Sequence, residues 1–338
     1  MKTLRLAVLG FGNAGRAYAR LLLEKDQELR QQYGMAVQVT AIVTGRHGTW
    51  EEAAGIDLHR ALADFTANSS RTGLEVARDA DYDALVELTP LNIATGQPAI
   101  DHIRTALSRG KHVISANKGP IAWAYRELKA LAEEQKVGFY HETTVMDGAP
   151  VFDLVERTLP LARVTEVSGI LNTTTNYILE ELAAGKDYDA ILAEGRRLGF
   201  VEADPAMDVE GYDAAAKLTA LLNVLMDADL TPDRVERQGI GNITAADIRD
   251  AAARGKVIKL LCRGWREGGV LHATVAPAQV DRGSLYATID STSSLVSITT
   301  DLMGKLSLVE HAPLIEQTGY GILVDTVRLL QRLTGICP

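Results

Sequence analysis

Residues 4–15 read Leu4-Arg5-Leu6-Ala7-Val8-Leu9-Gly10-Phe11-Gly12-Asn13-Ala14-Gly15, a short apolar run followed at once by glycines spaced G-x-G-x-x-G. The run predicts a buried strand. Residues 17–32 (AYARLLLEKDQELRQQ) then carry helical spacing. In a strand–loop–helix unit each glycine has its own task. Gly10 allows a tight turn, Gly12 lets a pyrophosphate approach the backbone, and Gly15 lets helix and strand pack closely. Around Asn13 and Ala14 the helix N-terminus offers unpaired N–H groups and a positive dipole end to phosphates. An ordinary glycine-rich turn is the alternative, and the place between a strand and a helix favours the dinucleotide site. The opening MKTLRLAVLGFG is basic and then apolar, like a leader peptide. Its apolar part ends in a Gly-rich turn without a small-residue cleavage site, so a first strand is the better reading.

Working outward, strands are predicted at 36–43, 84–88, 111–115 and 137–140, and helices at 51–63, 94–109 and 119–135. Alternation of this kind implies an α/β fold, a Rossmann-type parallel sheet covered on both faces, over residues 1–140. The pattern changes near residue 141. HETTVMDGAP (141–150) reads as a loop, 150–159 as a helix and 163–171 as a strand. Helices dominate to about 253, and β-rich stretches follow at 256–262, 270–279, 285–299 and 305–309. Residues 141–310 are therefore expected to form a second, α+β domain for catalysis and dimerisation, a mixed sheet with helices on one face. A helix at 319–333, within 311–338, is expected to return to the nucleotide-binding domain.

The chain's 338 residues suit two lobes, and its 46% hydrophobic content suits a sizeable core. Lys and Arg number 35 against 44 Asp and Glu, a net charge of -9, and no basic block interrupts the sequence. Nucleic acid is thereby excluded as an expected partner. Apolar runs break within about ten residues, short of the roughly 18 that span a membrane. Cys262 and Cys337 make no metal or redox motif, which fits a reduced, cytoplasmic setting.

The end of the second strand usually selects the cofactor, through an acid that bonds the ribose hydroxyls of NAD. Here it reads Val43-Thr44-Gly45-Arg46-His47. Without an acid, the planar guanidinium of Arg46 suits a 2′-phosphate and favours NADP over NAD. A solvated surface arginine is the alternative. Thr89-Pro90 and Ser115-Ala116-Asn117-Lys118 each follow a predicted strand. Carboxyl ends of such strands face the ligand crevice, so both segments are expected beside the nicotinamide.

The densest chemistry lies in GFVEADPAMDVEGYD (199–213), running on to Lys217. Acids near a helix start are favoured by its dipole. Asp213 and Lys217, four apart, share a helix face with Cβ atoms roughly 6 Å apart. On spacing alone, an exposed ion pair of little worth is the ordinary reading.

This stretch resembles the signature of the homoserine dehydrogenases, with Glu202-Ala203-Asp204-Pro205, then Asp208, then Gly211-Tyr212-Asp213 and a lysine four residues on. Gly10–Gly15 with Asn13, Ala116-Asn117-Lys118, Gly169-Ile170-Leu171-Asn172 and Asn176-Tyr177-Ile178-Leu179 resemble further family motifs in the same order. The matches span about residues 5–220. The resemblance implies NAD(P)-dependent interconversion of L-aspartate 4-semialdehyde and L-homoserine, by a homodimer of the short form without a regulatory extension. It implies Lys118 as acid/base, Lys217 orienting the substrate or polarising its oxygen, and Asp213 holding Lys217 or a water. Glu202 and Asp208 would bind the substrate ammonium, and Thr174 and Tyr177 would shape the pocket wall. Carbonyls of Glu142, Val145, Asp147 and Ala149 would hold Na+ or K+. Gly319-Tyr320-Gly321 would form an altered glycine-rich turn, with Gly321 near the nicotinamide. Residues 270–300 are the expected dimer surface. Thr173 departs from the family, which has glycine there, and loop 141–150 has fewer glycines than usual.

Two rivals stand beside this reading. One is another amino-acid or sugar dehydrogenase of the same architecture, the other a non-catalytic dinucleotide sensor. Activity with homoserine separates the first. The complete acid–lysine set, which a sensor does not need, argues against the second. His141 and His311 read as structural or exposed.

Overall fold

The computed structural model describes residues 2–198, 201 and 205–336. They divide into two compact units, residues 1–150 with 314–338, and residues 151–313.

The first unit is built on strands β1 (Lys2–Leu9), β2 (Met35–Thr44), β3 (Gly48–Glu51), β4 (Ala84–Glu87), β5 (His112–Ser115) and β6 (Phe139–Tyr140), in sheet order β3-β2-β1-β4-β5-β6. All pairs are parallel except β2–β3. Helices α1 (Asn13–Tyr33), α2 (Leu58–Ala63), α3 (Gly73–Asp79), α4 (Ala99–Ser108) and α5 (Lys118–Glu134) connect them. Successive side chains of a strand point to opposite faces, and β1 feeds two cores. Leu4, Leu6 and Val8 join Tyr18, Leu22, Ile322 and Leu329 on one face, while Ala7 and Leu9 join Leu85, Ile103, Leu107 and Leu128 on the other. Each fully buried Leu contributes about 1.5–3 kcal/mol. The strand order reverses between β1 and β4, which is where such sheets open a ligand crevice.

The C-terminal helix Ile315–Thr334 packs on α1, where Tyr18 and Thr326 share a 2.7 Å hydroxyl hydrogen bond. A Cβ on Gly319 would lie 2.9 Å from the Ala17 backbone, so glycine permits this close crossing. The Glu142 amide donates to Asp325 Oδ2 at 3.0 Å, and Thr318 Oγ1 to Asp147 Oδ1 at 2.7 Å. These bonds tie 141–150 to the first unit, and the boundary expected at residue 141 falls after Pro150 instead.

The second unit contains α6 (Val151–Thr158), β7 (Val164–Ile170), α7 (Thr173–Ala183), α8 (Tyr188–Leu198), α9 (Ala206–Val209), α10 (Tyr212–Met226), β8 (Glu236–Arg237), α11 (Ala245–Ala253), β9 (Lys256–Glu267), β10 (Val270–Asp281), β11 (Ser294–Thr300) and β12 (Gly304–Glu310). The sheet order is β12-β11-β7-β9-β10-β8, antiparallel but for the short β8–β10 pair. Helix α10 lies close on it, since a Cβ on Gly264 would overlap Leu222.

Three expected elements differ. Residues 48–51 form the second arm of a hairpin, which takes in the expected start of the helix at 51; Gly48 (φ +79°) turns the chain and Thr49 and Trp50 are buried. The helix there is only Leu58–Ala63, capped by Asp57 Oδ1, which accepts from His59 N at 2.9 Å. The helix expected from residue 94 begins at Ala99, because Pro98 stands at its N-cap. Residues 285–299 are a 3₁₀ turn at Leu285–Thr288 followed by β11.

Candidate active site

The glycine loop crosses the mouth of β1 and β4. Gly10 has φ +101°, its amide donates to the Val43 carbonyl at 2.9 Å, and a Cβ there would overlap the Leu88 carbonyl. A Cβ on Gly15 would lie 2.6 Å from Gly10 O. Gly12 is different: nothing lies within 4 Å of where its Cβ would be, and it caps α1 with no side-chain hydrogen bond. The first amides of α1, at exposed Asn13 and half-buried Ala14, therefore open onto free space at a positive dipole end. A pyrophosphate fits this cradle. Arg46 is exposed at the β2–β3 turn, where the His47 amide donates to Thr44 Oγ1 at 2.8 Å.

Beyond β4 and β5 the chain is tightly tied. Asn117 Oδ1 accepts from Gly119 N at 2.9 Å and caps α5, while its Nδ2 donates to the Thr89 carbonyl at 3.0 Å. Buried Ser115 donates from Oγ to Asn117 O at 3.1 Å. Pro90 is exposed and Lys118 half-buried. Lys118 is the first residue of α5, directly after the Asn117 cap.

In the second unit, Gly211 (φ +81°) turns the chain into α10. Lys217 Nζ lies 3.6 Å from Asp213 Oδ2 and donates to the Leu171 carbonyl at 2.8 Å. Their side chains are only 20% and 17% exposed, so this is not the exposed pair that spacing alone suggests. Asn172 organises the cluster. Its Oδ1 caps α7 by accepting from Thr175 N at 2.8 Å. Its Nδ2 donates to Asp208 Oδ1 at 2.6 Å and to Asp213 Oδ2 at 3.0 Å. Thr174 Oγ1 donates to Asp208 Oδ2 at 2.9 Å. Thr173 is simply the first residue of α7, so its departure leaves the turn intact. Two carboxylates gathered on one amide, with one ammonium beside Asp213, suit a further cation such as a substrate ammonium. Tyr177 is buried in α7, and a Cβ on Gly195 of α8 would lie 2.9 Å from its ring. Glu202 lies outside the described residues, as does Cys337. Cys262 is buried, and burial pushes its thiol up to about 12.

In loop 141–150, Glu142 and Val145 are buried, Asp147 adopts φ +36°, and Ala149 N donates to Met146 O at 2.7 Å. The Thr143 hydroxyl is buried with no hydrogen-bond partner among the described residues, as an oxygen left over for a cation would be. Gly319–Gly321 lie inside the C-terminal helix and do not form the expected turn; a Cβ on Gly321 would lie 2.5 Å from Thr143 Oγ1. His141 stands edge-on to Tyr125 and Phe139 at 5.3 Å, and burial pushes its imidazole down to about 3. His311 is exposed.

Sequence reading missed Asn172 as a site residue, since its role depends on groups 36 and 41 positions away. It also missed Glu87, whose only signal is one acid inside the apolar run ALVEL.

Comparison with known proteins gives the family of the chain. The family model described as homoserine dehydrogenase matches residues 150–327, and that of the homoserine dehydrogenase NAD binding domain matches residues 10–142. An NAD(+)-dependent homoserine dehydrogenase of Pseudomonas canavaninivorans is 33% identical over 99% of this chain and 98% of its own. A homoserine dehydrogenase of Methanocaldococcus jannaschii is 34% identical over 96% and 98%. Among solved structures, a putative homoserine dehydrogenase from Archaeoglobus fulgidus superposes with a TM-score of 0.87 at 33% identity, covering 97% of this chain and 99% of that one. A hyperthermophilic archaeal homoserine dehydrogenase mutant in complex with NADPH superposes at 0.82 with 25% identity, covering 98% of each chain.

Proposed function

The chain belongs to the homoserine dehydrogenase family, an NAD(P)-dependent oxidoreductase family, and from that premise we propose how its residues divide the interconversion of L-aspartate 4-semialdehyde and L-homoserine. The observation that carries the proposal is the Asn172 amide shared by Asp208 and Asp213 beside Lys217. When bound, the nicotinamide supplies the hydride, which no side chain can. Gly10, Gly12, Asn13, Ala14 and Gly15 seat the pyrophosphate, and Thr89, Pro90, Ser115 and Asn117 border the rest of the dinucleotide. Asp208, with Glu202, receives the substrate ammonium. Lys217, steered by Asp213 and the Leu171 carbonyl, holds the reacting oxygen. Lys118 is the acid/base, giving a proton as the aldehyde is reduced and taking it back in the oxidation direction. Thr174 holds Asp208, and Tyr177 forms part of the wall.

Arg46 makes NADP the favoured cofactor, with NAD as the alternative. Carbonyls of Glu142, Val145, Asp147 and Ala149 hold Na+ or K+. The enzyme works in the cytoplasm as a homodimer through the 270–300 face, where β10 is largely half-exposed. Among the described residues no helix is long and apolar enough to cross a membrane.

Steady-state rates with homoserine plus NADP and plus NAD, each with and without added Na+ or K+, test the reading. Turnover with homoserine, faster with NADP and raised by the cation, is expected. Turnover only with another amino acid or a sugar alcohol would overturn the substrate assignment.

A further inference from the structure

Glu87 is a carboxylate buried at the C-terminal end of β4, one strand from the glycine loop and outside the set of groups that meet substrate. Its two oxygens do different work. Oε1 accepts from the Thr89 amide at 2.8 Å and also from the Thr89 hydroxyl. Oε2 lies 2.8 Å from Nδ1 of buried His102, on α4. The ring of His102 is itself fixed, since a Cβ on Gly73 would lie 2.9 Å from its Nε2. A buried carboxylate is costly unless fully bonded, and this one is bonded on both sides.

The consequence reaches the cofactor side. Thr89 follows Leu88, whose carbonyl leaves no room for a Cβ on Gly10. The Thr89 carbonyl takes the Asn117 amide at 3.0 Å, and Asn117 caps the helix that begins with Lys118. One chain of contacts thus runs from His102 through Glu87 and Thr89 to Asn117, joining both strand mouths. Glu87, His102 and Asn117 are buried and hydrogen-bonded, and rigid support of this kind is what holds a binding group to its geometry.

We infer that Glu87, oriented by His102, is a positioning residue for the dinucleotide: it clamps Thr89 so that the Thr89–Asn117 link holds the crevice in its binding shape before the cofactor arrives. This rests on the placement of the dinucleotide at the glycine loop. The test is NADPH titration by fluorescence on the full chain, with melting temperatures measured in parallel. Glu87→Gln and Thr89→Val should each raise the NADPH Kd about tenfold, the size of one charge-assisted hydrogen bond. The double variant should lose no more than either single one, as residues of one network do. Thr89→Ser should restore most of what Thr89→Val loses. Unchanged Kd in both single variants, additive losses in the double one, or a Thr89→Ser as weak as Thr89→Val would overturn the inference. If Glu87→Gln does not fold, His102→Gln, which alters the other partner of Glu87, takes its place in the cycle with Thr89→Val, and the same outcomes decide. Gly12→Val, which blocks the cradle itself, separates the two ideas. Loss of NADPH binding there with wild-type affinity in the Glu87 and Thr89 variants sinks only the positioning role. Normal binding in Gly12→Val as well places the dinucleotide elsewhere.

Discussion

Asn172 and Asp213 stand 41 residues apart in the chain, yet the amide of one donates to the carboxylate of the other at 3.0 Å. The same amide nitrogen holds Asp208 at 2.6 Å, so a neutral donor keeps two like charges side by side. Without it they would repel, and Lys217 would have a displaced partner.

Removing that amide should disorganise the substrate site. Asn172→Ala loses both carboxylate bonds and the α7 cap, which alone costs about 1 kcal/mol. Asn172→Asp keeps a capping oxygen but adds a third negative charge. Both should raise the KM for homoserine at least about tenfold, with Asn172→Asp the worse relative to its smaller loss of melting temperature. Steady-state kinetics beside thermal melts check this, and a homoserine KM unchanged in Asn172→Asp would contradict it.

The two lysines should separate by kinetic signature. Lys118→Ala should lower kcat by roughly 10²–10⁴, the usual worth of a general acid, while NADPH still binds. Lys217→Met should lower kcat and raise the homoserine KM together, because Lys217 is anchored beside the carboxylates by the Leu171 carbonyl. Equal, pure KM effects in both variants would reject the division of roles.

How much of this was legible follows from where each cause lies. The glycine loop was readable because the needs of Gly10 and Gly15 are met within a few residues of each glycine and by one neighbouring strand. The Asp213–Lys217 pair was readable as geometry, being one helical turn. Its burial was not, since that depends on β7 running into Leu171 and Asn172. The strand at 48–51 escaped the sequence reading because it follows a polar tip and is four residues long, with only Thr49 and Trp50 buried. The C-terminal glycines at 319 and 321 were misread as a turn. Their lack of side chains instead serves close packing inside a helix, against Ala17 and Thr143. Nothing in their immediate sequence separates the two uses.

The glycine loop predicts opposite outcomes two residues apart. Gly10→Ala places a Cβ on the Leu88 carbonyl at φ +101°, so it should cost at least about 2 kcal/mol of stability. Gly12→Ala meets nothing in the protein and should melt near the parent temperature, yet bind NADPH more weakly. Paired melting and binding curves distinguish them.

Acid should destabilise the fold through His141. Burial, then the nearby Arg328 and Lys129, push its imidazole down to about 3 from 6.5. Between those values the unfolded chain binds a proton that the folded chain refuses. Stability is therefore full above about pH 6.5 and falls as pH drops toward 3. His112, held near 4 mainly by burial, adds in the same direction. Replacing His141 with Phe, which suits the ring cage of Tyr125 and Phe139, should flatten the stability profile by about 1.4 kcal/mol per pH unit near pH 5. Denaturant titrations at pH 4.5, 5.5 and 7 measure the slope, and parallel profiles for parent and variant would refute the assignment.

Arg46 should govern the choice between the two dinucleotides and nothing else. It stands exposed at the tip of a hairpin, beyond the end of β2, where the ribose of a dinucleotide lies in sheets of this order. A guanidinium there has no structural work to lose, so Arg46→Ala should leave the melting temperature within a degree or two of the parent. A charge-assisted pair with a 2′-phosphate contributes about 1.5–3 kcal/mol, so kcat/KM for NADP should fall roughly 10- to 150-fold. The value for NAD, which lacks that phosphate, should hold. Because the pair is solvent-exposed, the NADP value for the parent should also decline with added salt more steeply than that for Arg46→Ala. Equal losses with both cofactors would mean that Arg46 acts on something the two share, and NADP preference would then need another source in the chain.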